Sequence, residues 1–528
     1  MSNYNSKTPE IMKKGFYYLF LGATCLTLSG CIGKFEEYNT NPYQPTKVAA
    51  TDLLATMFHV YASPNQNDCQ FNNCMWGCFS GHVAAPAQWE FGENTFLYYN
   101  AQNKHNDGSW SNYYGRIYPN FYRIQEVTEG RGVVYSIAMI TRIYAMHIML
   151  SLQGPIPYTQ MISGNTKAAY DSEEVAWKAL FEDLDKAIID LENNKTQVNS
   201  DLAGVDQFFK GDLTKWLKFA NTLKLRMAIR VSDVYPEAQA LAEAAVKSGV
   251  MESKDDSAFD TTSGGIQKNG YSIVDAWGEV KANANVISYM NGYNDPRLPK
   301  YFTQQKVNED NPVKYLGVRF GPSQTPTPAD YANYSRLVIA TDDQKPQPVM
   351  YAAEAAFLRA EGALKGWNMG GDAKEFYEKG IRLSFEEFGV SGADAYIENK
   401  TLAPAPYHDF GRGGGMENDF PALSDVKIKW DEGGSDRNLE RVLVQKWIAL
   451  YLDPLNGWSD FRRTGFPKLA MSTKVAGGSP VSIVRGQRRL RFPESEYNNN
   501  TQNVLDAVKM LNGGVDDAAH DLWWAKKD

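Results

Sequence analysis

The chain is poor in the residues that most readily mark catalysis, metal binding or membrane crossing. Five cysteines and six histidines are spread through 528 residues. None of the patterns G-x-S-x-G, H-E-x-x-H or G-x-x-x-x-G-K-[ST] occurs, so the common hydrolase elbow, zinc-protease helix and P-loop are absent. The glycine-rich stretch Gly411-Arg412-Gly413-Gly414-Gly415 neither follows a strand-like run nor opens a helix, so it makes a poor phosphate cradle. His59, His82, His105, His147, His408 and His520 include no two at ligand spacing. His147 falls within a helical run and reads as a core or groove residue. Beyond residue 30, no apolar run reaches the roughly eighteen residues that a membrane-spanning helix needs. Basic blocks are missing and the formal net charge is −8, which argues against a nucleic-acid partner. No cofactor motif is present. A glycosidase needs only two well-placed carboxylates, and 62 acidic residues leave that alternative open.

The N-terminal region is better defined. Lys13-Lys14 forms a positive region, Phe16 to Leu28 is an apolar run, and small Ser29-Gly30 precede Cys31. This is the layout of a secretory signal peptide. Its end, Leu-Ser-Gly-Cys, resembles the lipobox of bacterial lipoproteins, in which the cysteine becomes the lipidated first residue. Either Met1 or Met12 serves as the start. Residues 1–30 are therefore expected to be a lipoprotein signal, 31–50 a lipidated tether and 51–528 one domain. A lipid on Cys31 attaches the protein to a membrane without spanning it.

With Cys25 in the signal and Cys31 lipidated, Cys69, Cys74 and Cys78 remain. Three thiols cannot all pair. Cys74, Cys78 and His82 are four apart, one helix face, and could hold zinc with Cys69. The other readings are a single disulfide or three small core residues.

Helical periodicity dominates the rest. Residues 171–191 place Trp177, Leu180, Phe181, Leu184, Ile188 and Leu191 on one face, with Asp171 and Glu174 in a capping-box pattern. Further helices are predicted over 135–152, stopped by Gly154-Pro155, from Asp212 onward, and over 349–365, 373–388 and 439–452. The short GWNMGG link makes 349–365 and 373–388 an antiparallel hairpin. Several hairpins suggest tetratricopeptide-like packing, although no repeat period is legible. Three long stretches, 62–116, 255–348 and 390–438, are rich in Gly, Asn, Pro and aromatics without sustained period. Loops of that length in a compact domain are usually functional. The expected fold is mostly α, a helical-hairpin scaffold with large irregular excursions.

Aromatic residues make up 13% of the chain, with thirty Tyr and twelve Trp. The stretch from Phe71 to Tyr114 interleaves Trp89, Tyr98, Tyr99 and Trp110 with Gln88, Glu90, Asn94, Asn100 and Asn103. Rings beside amides suit sugar recognition, an apolar face to stack on and polar groups to fix orientation. Trp76 and Phe96 read instead as anchors of the loop. A second excursion, 271–334, offers Trp277, Tyr293 and Tyr334. The candidate ligand-binding set is Trp89, Tyr98, Tyr99, Trp110 and Trp277.

Taken in order, several segments are similar to one family. They are SLQGPIPY (151–158), EEVAWKALFEDLDKAIIDL (173–191), NDPRL (294–298), YAAEAAFLRAEGALKG (351–366) and RRLRFPESEYNNN (488–500). A further segment, 445–467, resembles that family's Trp-Asp-Arg helix, with Ala449, Leu450 and Tyr451 where acidic residues are common. Together with the lipobox, the set resembles the SusD/RagB-like outer-membrane nutrient-binding lipoproteins. The resemblance implies a SusD-like fold and a cell-surface position over a TonB-dependent, SusC-like transporter. It further implies capture of a glycan or oligosaccharide, or in some members a peptide, and no catalysis. Lys34, Glu36 and Glu37 look like the family's surface-export signal. Asp295-Arg297 and Asp460, Arg462 and Arg463 read as buried ion pairs. A purely structural helical adaptor is the remaining alternative and would expose few rings.

Overall fold

Apolar faces spaced at helical period need a partner surface, and here they find it in neighbouring helices of the same chain. The computed structural model describes residues 48–61, 66–86, 96–101, 103–165, 167–196, 200–261, 269–305, 312–322, 328–411 and 416–525. Trp89, Cys31 and the expected signal and tether up to residue 47 lie outside the described residues. Residues 50–528 cluster as one unit.

The principal helices are Ala50–Met57, Asn103–Thr128, Val133–Gln153, Glu173–Asn194, Leu213–Arg230, Ala238–Ser248, Ala352–Leu364, Ala373–Glu387, Ser435–Ala449 and Pro454–Thr464. Consecutive helices pack as hairpins: Asn103–Thr128 on Val133–Gln153, then Val133–Gln153 on Glu173–Asn194, Leu213–Arg230 on Ala238–Ser248, and Ala352–Leu364 on Ala373–Glu387. Close approach in the last pair depends on small residues. A Cβ at Gly380 would lie 2.7 Å from the Phe357 ring, so only glycine lets the two helices meet there. Val133–Gln153 is long and apolar enough to cross a membrane, yet it is buried in this fold. It ends at Gly154, whose φ of +92° is one that L side chains rarely adopt.

Two details correct the sequence reading. The cap of Glu173–Asn194 is Ser172, whose hydroxyl accepts from Val175 N–H at 3.4 Å. Asp171 instead accepts from the N–H groups of Tyr158 and Thr159, tying down the preceding loop. The excursion 62–116 is not irregular at its end, because Asn103–Thr128 is a continuous 26-residue helix. Its aromatics at 110, 114, 118 and 122 follow a four-residue step, a helical signal present in the sequence.

Strand is confined to two small antiparallel ladders among the described residues. β1 (Val83–Ala84) pairs with β3 (Lys281–Ala282), and β2 (Ala258–Asp260) with β4 (Gln347–Met350). Buried ion pairs fasten the helices. Glu354 and Glu361, two turns apart on one helix, take Arg226 and Arg463 from two others, at 2.5 and 2.6 Å. Asp460 sits between Lys446 and Arg463 at 2.9 and 3.2 Å. Arg462 departs from the expected ion pair: it bonds the Arg488 carbonyl at 2.9 Å and lies 3.7 Å over the Trp458 ring. Cys69, Cys74 and Cys78 are free and buried, with Cys69 and Cys74 sulfurs 3.9 Å apart. His82 turns away from them and bonds the Trp447 carbonyl at 2.7 Å.

Candidate functional site

Trp277 ends the helix Gly270–Ala276 and is 63% exposed, a large ring left in solvent. Burying such a ring is the ordinary outcome, so one left this exposed stands out. The residues two before it and two after it in the chain are fixed. Asp275 accepts from Arg336 Nε at 2.8 Å, and Glu279 accepts from Gln70 Nε2 at 2.7 Å. Burial lowers the Lys281 ammonium, helped by Arg336 and opposed by Asp275. Through the pairing of Ala84 with Lys281, the first excursion is joined to the second almost two hundred residues away. Lys281 lies four residues after Trp277, so the ladder fixes the chain just beyond that ring.

Tyr98 and Tyr99 correct the sequence expectation of exposure. Tyr98 is 0% exposed, and its hydroxyl donates to the Pro322 carbonyl at 3.0 Å. Tyr99 is 3% exposed and contacts Phe320 edge-on with centroids 4.9 Å apart. Burial pushes its phenol well up. Polar neighbours in sequence gave no protection from burial, because Pro322 and Phe320 arrive from another part of the chain to meet these rings. Tyr293 and Tyr334 are buried as well, as are Trp76 and Phe96.

Trp110 is also corrected. It is 7% exposed, with the Tyr114 ring 4.1 Å and the Tyr170 ring 6.0 Å away between centroids, both nearly parallel to it. The ladder continues to Tyr118 and Tyr122. These rings back a cleft of about 680 Å³ whose other wall includes Pro157, Met161 and Ile162. With 7% of its surface exposed and the Tyr114 ring stacked on it, Trp110 itself offers little free face for a sugar.

No cluster of three or more His, Cys, Asp and Glu that could hold a metal occurs among the described residues. The scaffold is a set of packed helical hairpins with long excursions between them. Residues 37–525 match the family described as SusD-like, the SusD and RagB outer membrane lipoproteins, and the chain belongs to that family. It is similar to a SusD-like protein from Bacteroides thetaiotaomicron at 59% identity and TM-score 0.88, over 91% of this chain and 99% of that one. A SusD homologue from Bacteroides uniformis is 35% identical with TM-score 0.83, over 91% and 100%. A chitin-binding SusD homologue from Flavobacterium johnsoniae is 33% identical with TM-score 0.84, over 91% and 99%. None of the curated proteins matches the sequence. The expected mostly helical SusD-like fold stands.

Proposed function

We propose that the protein captures a glycan at the cell surface and passes it to a TonB-dependent, SusC-like outer-membrane transporter, without cleaving it. The observation that carries this reading is the Trp277 ring, 63% exposed on a stretch of chain anchored by the Asp275–Arg336 and Glu279–Gln70 bonds. One face of such a ring can stack on the C–H face of a pyranose while polar neighbours bond its hydroxyls. The likeness to a chitin-binding homologue supports a glycan over a peptide. In this reading Cys31 carries lipid, residues 31–50 are a tether, and residues 51–528 present the binding face. Trp89 joins Trp277 as a contact.

The test is a panel of oligosaccharides, beginning with chito-oligosaccharides and continuing through α- and β-linked glucans, mannans and host-type glycans. Affinity electrophoresis and calorimetry read binding, and chromatography of the same mixtures reads cleavage. Saturable binding to at least one glycan with the products unchanged is the expected result. Preferential binding of peptides, or release of shorter sugars, would overturn the reading.

A further inference from the structure

Tyr99 borders another cavity, of about 240 Å³. Residues 99–101, the turn 476–480, Arg491 and the segment 516–518 meet around it. Two backbone bonds hold these parts in place. The Ala476 N–H donates to the Tyr98 carbonyl at 3.1 Å, and the Arg488 N–H donates to the Ala518 carbonyl at 2.8 Å. Gly477, Gly478 and Pro480 are the exposed members of the turn. A side-chain carbon at either glycine would meet nothing within 4 Å, so the cavity is open to solvent on this side.

Arg491 is the exposed charged residue of this lining. Its guanidinium carries five N–H donors. Nη2 donates to the Oδ1 of Asn103 at 2.5 Å, a neutral amide that in turn donates to Glu494 at 2.8 Å. No carboxylate among the described residues forms an ion pair with Arg491, and that sets it apart. The other exposed arginines among the described residues, Arg123, Arg131 and Arg336, each hold a carboxylate. Arg488 and Arg489 of the same run are buried and paired with Asp521 and Asp516, both at 2.5 Å. In a chain of net charge −8, a cation left unpaired at an open cavity favours an anion from outside. Two acids share the lining, and both are occupied by donors. Asp516 accepts from Arg489 at 2.5 Å, from the Phe492 N–H at 3.2 Å and from the Tyr497 hydroxyl at 2.9 Å. Asp517 accepts from the Ala519 and His520 N–H groups at 2.8 and 3.2 Å and bonds the His520 ring at 2.7 Å.

We propose that this cavity is a subsite for one sugar unit bearing a carboxylate, a hexuronate, with Arg491 holding the carboxylate and the cavity receiving the ring. A planar guanidinium can meet a planar carboxylate through two parallel N–H···O bonds, a fit that an ammonium cannot offer. The volume falls below the roughly 300–1,000 Å³ of pockets that take larger ligands, which suits one ring and not a chain. The proposal rests on the glycan-capture reading and names one charged unit of the glycan.

The experiment titrates the full mature protein with glucuronate, galacturonate, glucose, galactose, glucose 6-sulfate and acetate, by calorimetry and by saturation-transfer NMR at low salt. At least one uronate should bind more tightly than its neutral counterpart, than the sulfate ester and than acetate. Added salt should weaken that uronate. Arg491→Gln should weaken it about tenfold. Arg491→Lys, which keeps the charge and loses the fork, should also weaken it, whereas Arg123→Gln should leave it unchanged. The wild-type titrations decide the case if an Arg491 variant does not fold. Failure of both uronates, equal or tighter binding of the neutral sugar, the sulfate ester or acetate, or indifference to salt would each overturn the subsite. So would wild-type affinity in either folded Arg491 variant, or an equal loss in Arg123→Gln. If neutral oligosaccharides still bind in any of those outcomes, the glycan-capture reading survives and only the subsite falls. If no saccharide of any length binds, both fall.

Discussion

Asp295 and Arg297, two residues apart in the NDPRL segment, form a bidentate ion pair sealed from solvent. Arg297 Nε donates to Oδ1 at 2.9 Å and Nη2 to Oδ2 at 2.6 Å, with both side chains at 0% exposure. Ser384, Tyr396 and Gln445 satisfy remaining groups, so the pair joins the helices Ala373–Glu387 and Ser435–Ala449 to the loop after residue 292. Removing one partner of a buried pair strands the other charge, which typically costs about 3–5 kcal/mol. Asp295→Ala should lower the urea midpoint accordingly. Lys374→Ala, which removes the exposed pair with Glu432, should leave it nearly unchanged. Equal losses would mean that burial does not govern these pairs.

Trp277→Ala should reduce glycan affinity by about ten- to a hundredfold, or ~1–3 kcal/mol, with no change in melting temperature. Tyr98→Ala should do the reverse, destabilising the fold on the order of 3–5 kcal/mol through the space it vacates. Affinity and melting curves on the two variants separate a contact ring from a core ring. Wild-type affinity in Trp277→Ala places the binding surface elsewhere.

Stability should fall on mild acidification. Burial pushes the His82 imidazole down to about 4, against the hydrogen bond to the Trp447 carbonyl, from an ordinary 6.5. Above pH 6.5 folded and unfolded chains are both neutral at this residue. Between 6.5 and 4 the unfolded chain binds a proton that the folded one refuses, so stability drops as pH falls. The contribution of His82 between pH 7 and pH 5 is on the order of 2 kcal/mol. His105, lowered to about 3 chiefly by burial, acts in the same direction. Urea unfolding of wild type and His82→Gln at both pH values tests this; identical pH dependence would count decisively against His82.

Cys31→Ala should release the protein from membranes and abolish incorporation of labelled palmitate. Continued outer-membrane fractionation with label retained would show that the anchor lies elsewhere.

A lid over a transporter needs a contact of the obligate size class, above ~2,000 Å². Mildly solubilised outer membranes should therefore yield this protein together with a TonB-dependent barrel. Recovery of the lipoprotein alone at both low and high salt would argue against a stable complex.

The sequence by itself carried the helices, because a repeat of 3.6 in apolar residues leaves few other ways to bury them. Leu213–Arg230 begins at Asp212 as its spacing requires, and the GWNMGG link makes the Ala352–Leu364 hairpin. NDPRL was legible as an ion pair because Asp and Arg two apart at a turn reach each other locally. Exposure was not legible. Tyr98, Tyr99, Trp110 and Trp277 have similar polar neighbours in sequence, yet three are buried and one stands in solvent. Burial is decided by what arrives from elsewhere in the chain: Pro322 and Phe320 over the tyrosines, Tyr170 over Trp110. The same holds for the meeting of Ala84 with Lys281. Residues that far apart in sequence become neighbours only when the helical scaffold closes, and only then is a ring covered or left without a cover.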